Sequence, residues 1–274
     1  MSETSAKPPV SSSLPPDFPQ KQESLFRESL LLMNRCTVPY VVAGAFALHH
    51  HTGIWRVTKD LDLFLTARDI PRALKCFEEA GFEGEICDPV WLAKAHRDGF
   101  FIDLISGMSN AVIVVDESWI SRATPCVVLG VESRVLRAEE LLASKLFVVR
   151  RERFDGADIA HIIYGTHGKL DWERILCLAG EHWELLLWAL LLYRYIYPAQ
   201  TDYVPRFVWK KLLGQFQQEL ENPNPKAPFR GSLVDDNMFA IDVAEWGMDN
   251  VLFRQRQERQ NEIAASTDTQ EKPQ

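Results

Sequence analysis

The stretch Val41–Leu65, VVAGAFALHHHTGIWRVTKDLDLFL, decides how the rest of the chain is read. An apolar run, Tyr40–Ala43, meets Gly44–Ala45 and passes into a helical pattern around Phe46–Leu48. A donor-rich turn follows from His50 to Lys59, and then Asp60–Leu61–Asp62–Leu63–Phe64–Leu65 reads as a buried strand interrupted by two carboxylates. Alternate residues of a strand share a face, so Asp60 and Asp62 project together. Like charges that close repel, and burying them is costly without positive charge nearby. A divalent metal supplies that charge, and hard oxygen ligands suit Mg²⁺ better than a softer ion. Asp103, in the second apolar run Phe100–Ile105, is the candidate third acid. Three such acids on neighbouring strands can hold two ions about 3.5–4 Å apart for in-line phosphoryl displacement.

A D-x-D strand taken alone is more often a pair of solvated edge charges. Here Val41, Val42, Leu61, Leu63 and Phe64 argue against an edge, because edge strands seldom carry large apolar residues on both faces. The ordered set of Gly44–Ala45, Asp60–x–Asp62 and Asp103 resembles the polymerase-β-like nucleotidyltransferase superfamily. Arg56–x–Thr58–x–Asp60–x–Asp62 resembles its bacterial branch of antibiotic nucleotidyltransferases and abortive-infection toxin nucleotidyltransferases. The resemblance covers roughly residues 38 to 165. It implies an α+β fold, a mixed sheet flanked by helices and followed by a helical C-terminal region.

On that resemblance, Asp60, Asp62 and Asp103 are the catalytic acids and metal ligands, with two Mg²⁺ ions expected. Gly44, Ala45, Arg56, Thr58, Lys145 and Asp158 are expected to bind the co-substrate, ATP or another NTP. A nucleoside monophosphate then moves to an acceptor and pyrophosphate leaves. The acceptor stays open between a small hydroxylated molecule such as an antibiotic, a tRNA end and a protein side chain. Two positions depart from the pattern. Ala45 stands where the family has Gly or Ser; it is small enough for a phosphate but less free at positive φ. In the lysine and Arg–Asp–x–x–Asp stretch of the abortive-infection branch, Lys145 and Asp155–x–x–Asp158 match, but Phe154 takes the arginine's place, with Arg153 one residue earlier. These departures favour the alternative function, an inactive nucleotide-binding or antitoxin-like module.

Several residues keep two readings. Arg56 is either a phosphate clamp, through its planar fork, or a partner for the acid pair. Lys145 reads on general grounds as a solvent-facing helix residue, and Asp158 as a helix charge paired with arginine. His49–His51 cannot all face one ion, since adjacent helix residues diverge by about 100°, so they read as a solvated helix end. Trp172, Trp183, Trp188 and Trp209 read as core.

A net charge of −8 argues against a broad basic surface for nucleic acid, leaving RNA only a local groove. The scattered cysteines Cys36, Cys76, Cys87, Cys126 and Cys177 contain no C-x-x-C pair and read as reduced, in a cytoplasmic protein. No basic segment followed by an apolar run opens the chain, so no secretory signal is expected. The apolar run Leu185–Leu192 is too short to span a bilayer, so no membrane role is expected.

The organisation predicted is a disordered segment over 1–22, a nucleotidyltransferase domain over 23–165, a helical region over 166–253 and a disordered tail over 254–274. The expected helices are Gln22–Arg35, then Ala67–Ala80 capped by Thr66, and Leu136–Arg151. Two more fall between Asp171 and Tyr197, divided at Gly180, and an amphipathic helix over Val204–Leu220 is expected to close a bundle. A short helix is expected near Pro89–Ala95, short strands at Val112–Val115 and Cys126–Leu129, and one strand or short helix between Asp235 and Phe253.

Overall fold

The computed structural model describes residues 19–268. Its strands are β1 (Val41–Val42), β2 (Asp60–Phe64), β3 (Glu83–Asp88), β4 (Leu92–Arg97), β5 (Phe100–Ile105), β6 (Thr124–Val128) and β7 (Val131–Val135), with a small hairpin of β8 (Val149–Arg150) and β9 (Arg153–Phe154). Its helices are α1 (Gln20–Arg35), α2 (Gly44–Thr52), α3 (Ile70–Glu79), α4 (Glu117–Arg122), α5 (Ala138–Lys145), α6 (Gly156–Gly165), α7 (Trp172–Ala179), α8 (Trp183–Ile196), α9 (Arg206–Glu221), α10 (Gly231–Val234), α11 (Ala240–Ala244) and α12 (Val251–Asp268). The main sheet runs β3-β4-β5-β2-β1-β7-β6. It is mixed: β2 pairs parallel with β5 and β1 parallel with β7, and the other neighbours are antiparallel.

Period-two alternation sorts the two faces of this sheet. Leu61 and Leu63 on β2, Ile102 and Leu104 on β5, and Ala93 and Ala95 on β4 are all buried. The register pairs Leu61 with Ile102 and Ala95 with Ile102, so these residues share one face. Helices α1 and α3 cover that face: Phe26 meets Phe100 edge-on, and Leu74 lies over Gly84, which pairs with Ala95. Full burial of each such leucine contributes about 1.5–3 kcal/mol. Asp60, Asp62, Lys94 and Asp103 alternate with these residues and project from the opposite face.

Several elements differ from the sequence expectation. Pro89–Ala95 is a turn leading into β4 and contains no helix: the Asp88 carboxylate accepts from the Val90 N–H, and small Ala93 and Ala95 fit beneath α3 at strand spacing. The helix expected from Leu136 to Arg151 stops at Lys145, where Val148 and Val149 enter a hairpin closed by Asp155 N–H donating to the Val148 carbonyl. Val112–Val115 contributes only a bridge between Val114 and Gly107, because Asn110 and left-handed Ala111 turn the chain there. The Ala67–Ala80 helix opens as a 3₁₀ turn, and the Thr66 hydroxyl donates to Asp69 instead of capping a backbone N–H.

Further along, α9 buries Val208 and Leu212 but leaves Leu213, Phe216 and Leu220 exposed, so it closes the bundle with its N-terminal half only. Trp172–Ile196 has the length and hydropathy of a membrane span, yet it breaks at Gly180 into α7 and α8, and Leu186 and Leu190 of α8 are fully buried. Trp172 and Trp183 are core, whereas Trp188 is half exposed against Phe154. The N-terminal segment read as disordered to residue 22 already enters α1 at Gln20, and residues 1–18 lie outside the described residues. The expected disordered tail is helical through Asp268, and 269–274 lie outside the described residues. Cys36 and Cys76, expected reduced, form a disulfide, because the end of α1 lies against α3.

Candidate active site

The acid pair is placed by β2 and the third acid by β5. Asp62 and Asp103 are direct neighbours across the parallel β2–β5 ladder, and Asp60 sits one pleat away on the same face. Ligand oxygens of Asp60, Asp62 and Asp103 all lie within 4.8 Å of one another. Burial and the charges of Asp60 and Asp103 push the Asp62 carboxyl up to about 7, against the opposing pull of Lys145 and Arg153. Asp103 is raised by burial too, although a hydrogen bond and the charge of Lys94 oppose the shift. The cluster is therefore short of positive charge and consists of hard oxygen donors, which fits a divalent ion such as Mg²⁺.

Gly44 closes the other side. The chain leaves β1, turns at Gly44 with φ 54° and enters α2, which has no side-chain cap at its N-terminus. A Cβ built on Gly44 would lie 1.7 Å from Asp62 Oδ2. Ala45 follows in the first turn of α2, facing the same cleft. That cleft, about 500 Å³, takes in the acid cluster, the start of α2, Arg56, Thr58, Lys145 and Asp158. The sequence-predicted residues thus meet in one place.

Their pairings bear on the readings left open. Arg56 pairs with Asp158, not with Asp60 or Asp62. Thr58 donates to an Asp60 carboxylate oxygen, and Gln22 of α1 donates to the Thr58 carbonyl at 2.6 Å, which ties this loop to the body. Lys145 does not face solvent: it is buried, with Nζ 2.9 Å from Asp155 and 2.7 Å from Asp158. Arg153 grips both oxygens of Asp155 at 3.1 Å, while Phe154 turns away onto Trp188. Burial alone would raise Asp155, but Lys145 and Arg153 outweigh it and keep the carboxyl below its ordinary value. Of the histidines, His50 is exposed, whereas His51 is partly buried against the Leu136 carbonyl at 2.7 Å.

Sequence reasoning missed Lys94, whose Nζ lies 2.9 Å from Asp103 Oδ1. The signal was present in Ala93–Lys94–Ala95, but the helical reading of this stretch hid it. The far C-terminal contribution was missed as well. Leu233 of α10 lines the cleft, and Asn110 donates to its carbonyl at 3.1 Å. Asp235 accepts from the Arg151 N–H, also at 3.1 Å.

The mixed sheet thus carries a small-residue turn, an aspartate pair on the next strand and a third aspartate in register beside it, all opening on one cleft. The chain belongs to the family described as "Nucleotidyl transferase of unknown function (DUF2204)", which matches residues 24–177. No curated protein matches it. Among solved structures it is similar to the antibiotic-resistance factor ANT(2'')-Ia, at 17% identity and TM-score 0.44, covering 66% of this chain and 100% of that one. It is similar to the lincosamide antibiotic adenylyltransferase LnuA at 16% identity and TM-score 0.38, over 53% of this chain and 97% of that one. An antigenic nucleotidyltransferase-like protein from Paracoccidioides brasiliensis matches at 18% identity and TM-score 0.41, over 68% and 94% of the two chains.

Proposed function

We propose that the chain moves a nucleoside monophosphate from an NTP to an acceptor hydroxyl and releases pyrophosphate, in an Mg²⁺-dependent reaction. The observation that carries this reading is the convergence of Asp60, Asp62 and Asp103 beside the Gly44 turn at the start of α2. A divalent ion held by Asp60 and Asp62 supplies charge neutralisation and orientation for the phosphates. The backbone N–H groups opening α2 meet the triphosphate, for which Ala45 is small enough. Asp103 accepts the acceptor's proton as its hydroxyl attacks the α-phosphorus. Lys145, anchored by Asp155 and Asp158, and Arg153 keep positive charge next to Asp62.

The catalytic domain spans about 23–165 on this reading. The helical region over 166–253 then forms one wall of the acceptor site, with Leu233 reaching the cleft. The test is incubation of purified protein with each labelled NTP, Mg²⁺ and pools of cell RNA, small metabolites or protein. Pyrophosphate release together with a labelled acceptor, absent in Asp103→Asn, is the expected result. Equal labelling by the wild type and Asp103→Asn would overturn the assignment.

A further inference from the structure

Lys94 meets the acid cluster from the next strand, and the reaction proposed above leaves it without a role. Register places Lys94 of β4 opposite Asp103 of β5, and Asp103 beside Asp62 of β2. Residues in register share a face, so an ammonium and two carboxylates stand in one row across three strands, with Asp60 one pleat along. The direction of Lys94 is fixed by its neighbours, since Ala93 and Ala95 are buried on the opposite face. Its Nζ engages both Asp103 oxygens, at 2.9 and 3.2 Å, and lies 5.3 Å from the Phe101 ring centroid. The pair is sheltered, with side chains only 26% and 11% exposed.

We propose that the Lys94 ammonium takes the place of a second divalent ion, so that the site loads one such ion, on Asp60 and Asp62. The inference rests on the reading of Asp60 and Asp62 as ion ligands given above. Lys94 offsets one of the three carboxylates, and Lys145 and Arg153 add positive charge beside Asp62, so the cluster needs less metal charge than its acid count suggests. A second dication bound through Asp103 would have to share that carboxylate with Lys94 at close range, and like charges so near in a sheltered site repel strongly. Asp103 is thereby fixed in place by a side chain, and the acid count, which by itself suggests two ions, overstates the metal load.

The experiment uses the full chain with Mn²⁺ and the non-hydrolysable α,β-methylene analogues of ATP, GTP, CTP and UTP in turn. It reads bound Mn²⁺ per chain and the paramagnetic resonance spectrum. The wild type and Lys94→Arg, which keeps the charge, should each bind one ion with a mononuclear spectrum. Lys94→Met should bind two and show a spin-coupled pair. A coupled pair in the wild type overturns the proposal, as does a single ion in Lys94→Met that melts like the wild type. Should Lys94→Met fail to fold, Asp103→Asn decides: retention of the one ion supports the proposal, and its loss makes Asp103 a ligand and overturns it. If the wild type binds no Mn²⁺, or if Asp60→Asn with Asp62→Asn leaves the count unchanged, the ligand assignment of the acid pair itself falls, and the inference goes with it.

Discussion

The carboxylate of Asp62 occupies the space that a side chain on Gly44 would need: Oδ2 lies 1.7 Å from where a Cβ would stand. Two constraints coincide at this glycine, since its backbone also takes a left-handed φ of 54°. The turn that delivers α2 and the strand that delivers the acid pair are therefore fitted to each other. Ala43 N–H donates to the Asp62 carbonyl at 2.9 Å, so the two segments are joined through backbone as well.

Gly44→Ala tests that fit. A left-handed alanine costs about 1–2 kcal/mol, and the clash with Asp62 requires a shift of either the turn or the carboxylate. A displacement on the order of 1 Å at a reacting centre lowers turnover by roughly 100-fold. Urea denaturation should show a modest loss of stability, and nucleotide transfer a loss far beyond it. Wild-type turnover in Gly44→Ala would separate this turn from the chemistry.

The raised Asp62 carboxyl predicts a pH dependence. Folding lifts it from the usual 3.8 to about 7, so between those values the native state binds more protons than the unfolded chain. Stability of the metal-free protein should then fall as pH rises through this window, by up to a few kcal/mol. Asp103, raised in the same direction, adds to the slope. Asp62→Asn should flatten the curve and gain stability relative to wild type at pH 8. Urea midpoints for both proteins at pH 5 and 8 check this, and parallel curves would contradict it.

Lys145 and Arg153 should differ sharply on mutation although both contact Asp155. Lys145→Met leaves two buried carboxylates with less compensation and should cost about 3–5 kcal/mol. The Arg153 side chain is 69% exposed, so Arg153→Ala should cost under about 1 kcal/mol in stability. Denaturant titrations of the two variants decide it. Equal losses would mean that the exposed hairpin arginine secures Asp155 as much as the buried helix lysine does.

What the sequence disclosed, and what it hid, follows from the range of the interactions. The β2 acids were legible because alternation is local: Leu61 and Leu63 announce the strand and assign Asp60 and Asp62 to one face. Asp103 was legible for the same reason within Phe100–Ile105. On general grounds alone Lys145 reads as solvent-facing, because eight residues of helix do not reveal that the Asp155–x–x–Asp158 turn folds back over it; only the resemblance placed it in the site. Lys94 was hidden in a stretch whose alanines suit a helix as well as a strand, until pairing with β5 decided between them. Leu233 and Asp235 come from more than a hundred residues beyond Asn110, and no local pattern carries such a contact. The Cys36–Cys76 disulfide depends likewise on how α1 meets α3.

Ala45 remains the residue whose substitution best separates an active site from a degenerate one. It is only partly buried, in the first turn of α2, and faces the cleft. If phosphate is met there by backbone N–H groups alone, the side chain need only be small. Ala45→Ser should then keep turnover within a few-fold and can add one hydrogen bond, whose net worth is about 0.5–1.5 kcal/mol. Ala45→Val should weaken NTP binding, because a β-branched side chain in the first turn crowds the triphosphate and is stiff at χ1. In an inactive module, serine could strengthen nucleotide binding yet bring no turnover with any acceptor. NTP affinity and turnover must therefore be measured on all three proteins together. Unchanged affinity in Ala45→Val would mean that the triphosphate does not lie at this turn, and the site would have to be sought elsewhere in the cleft.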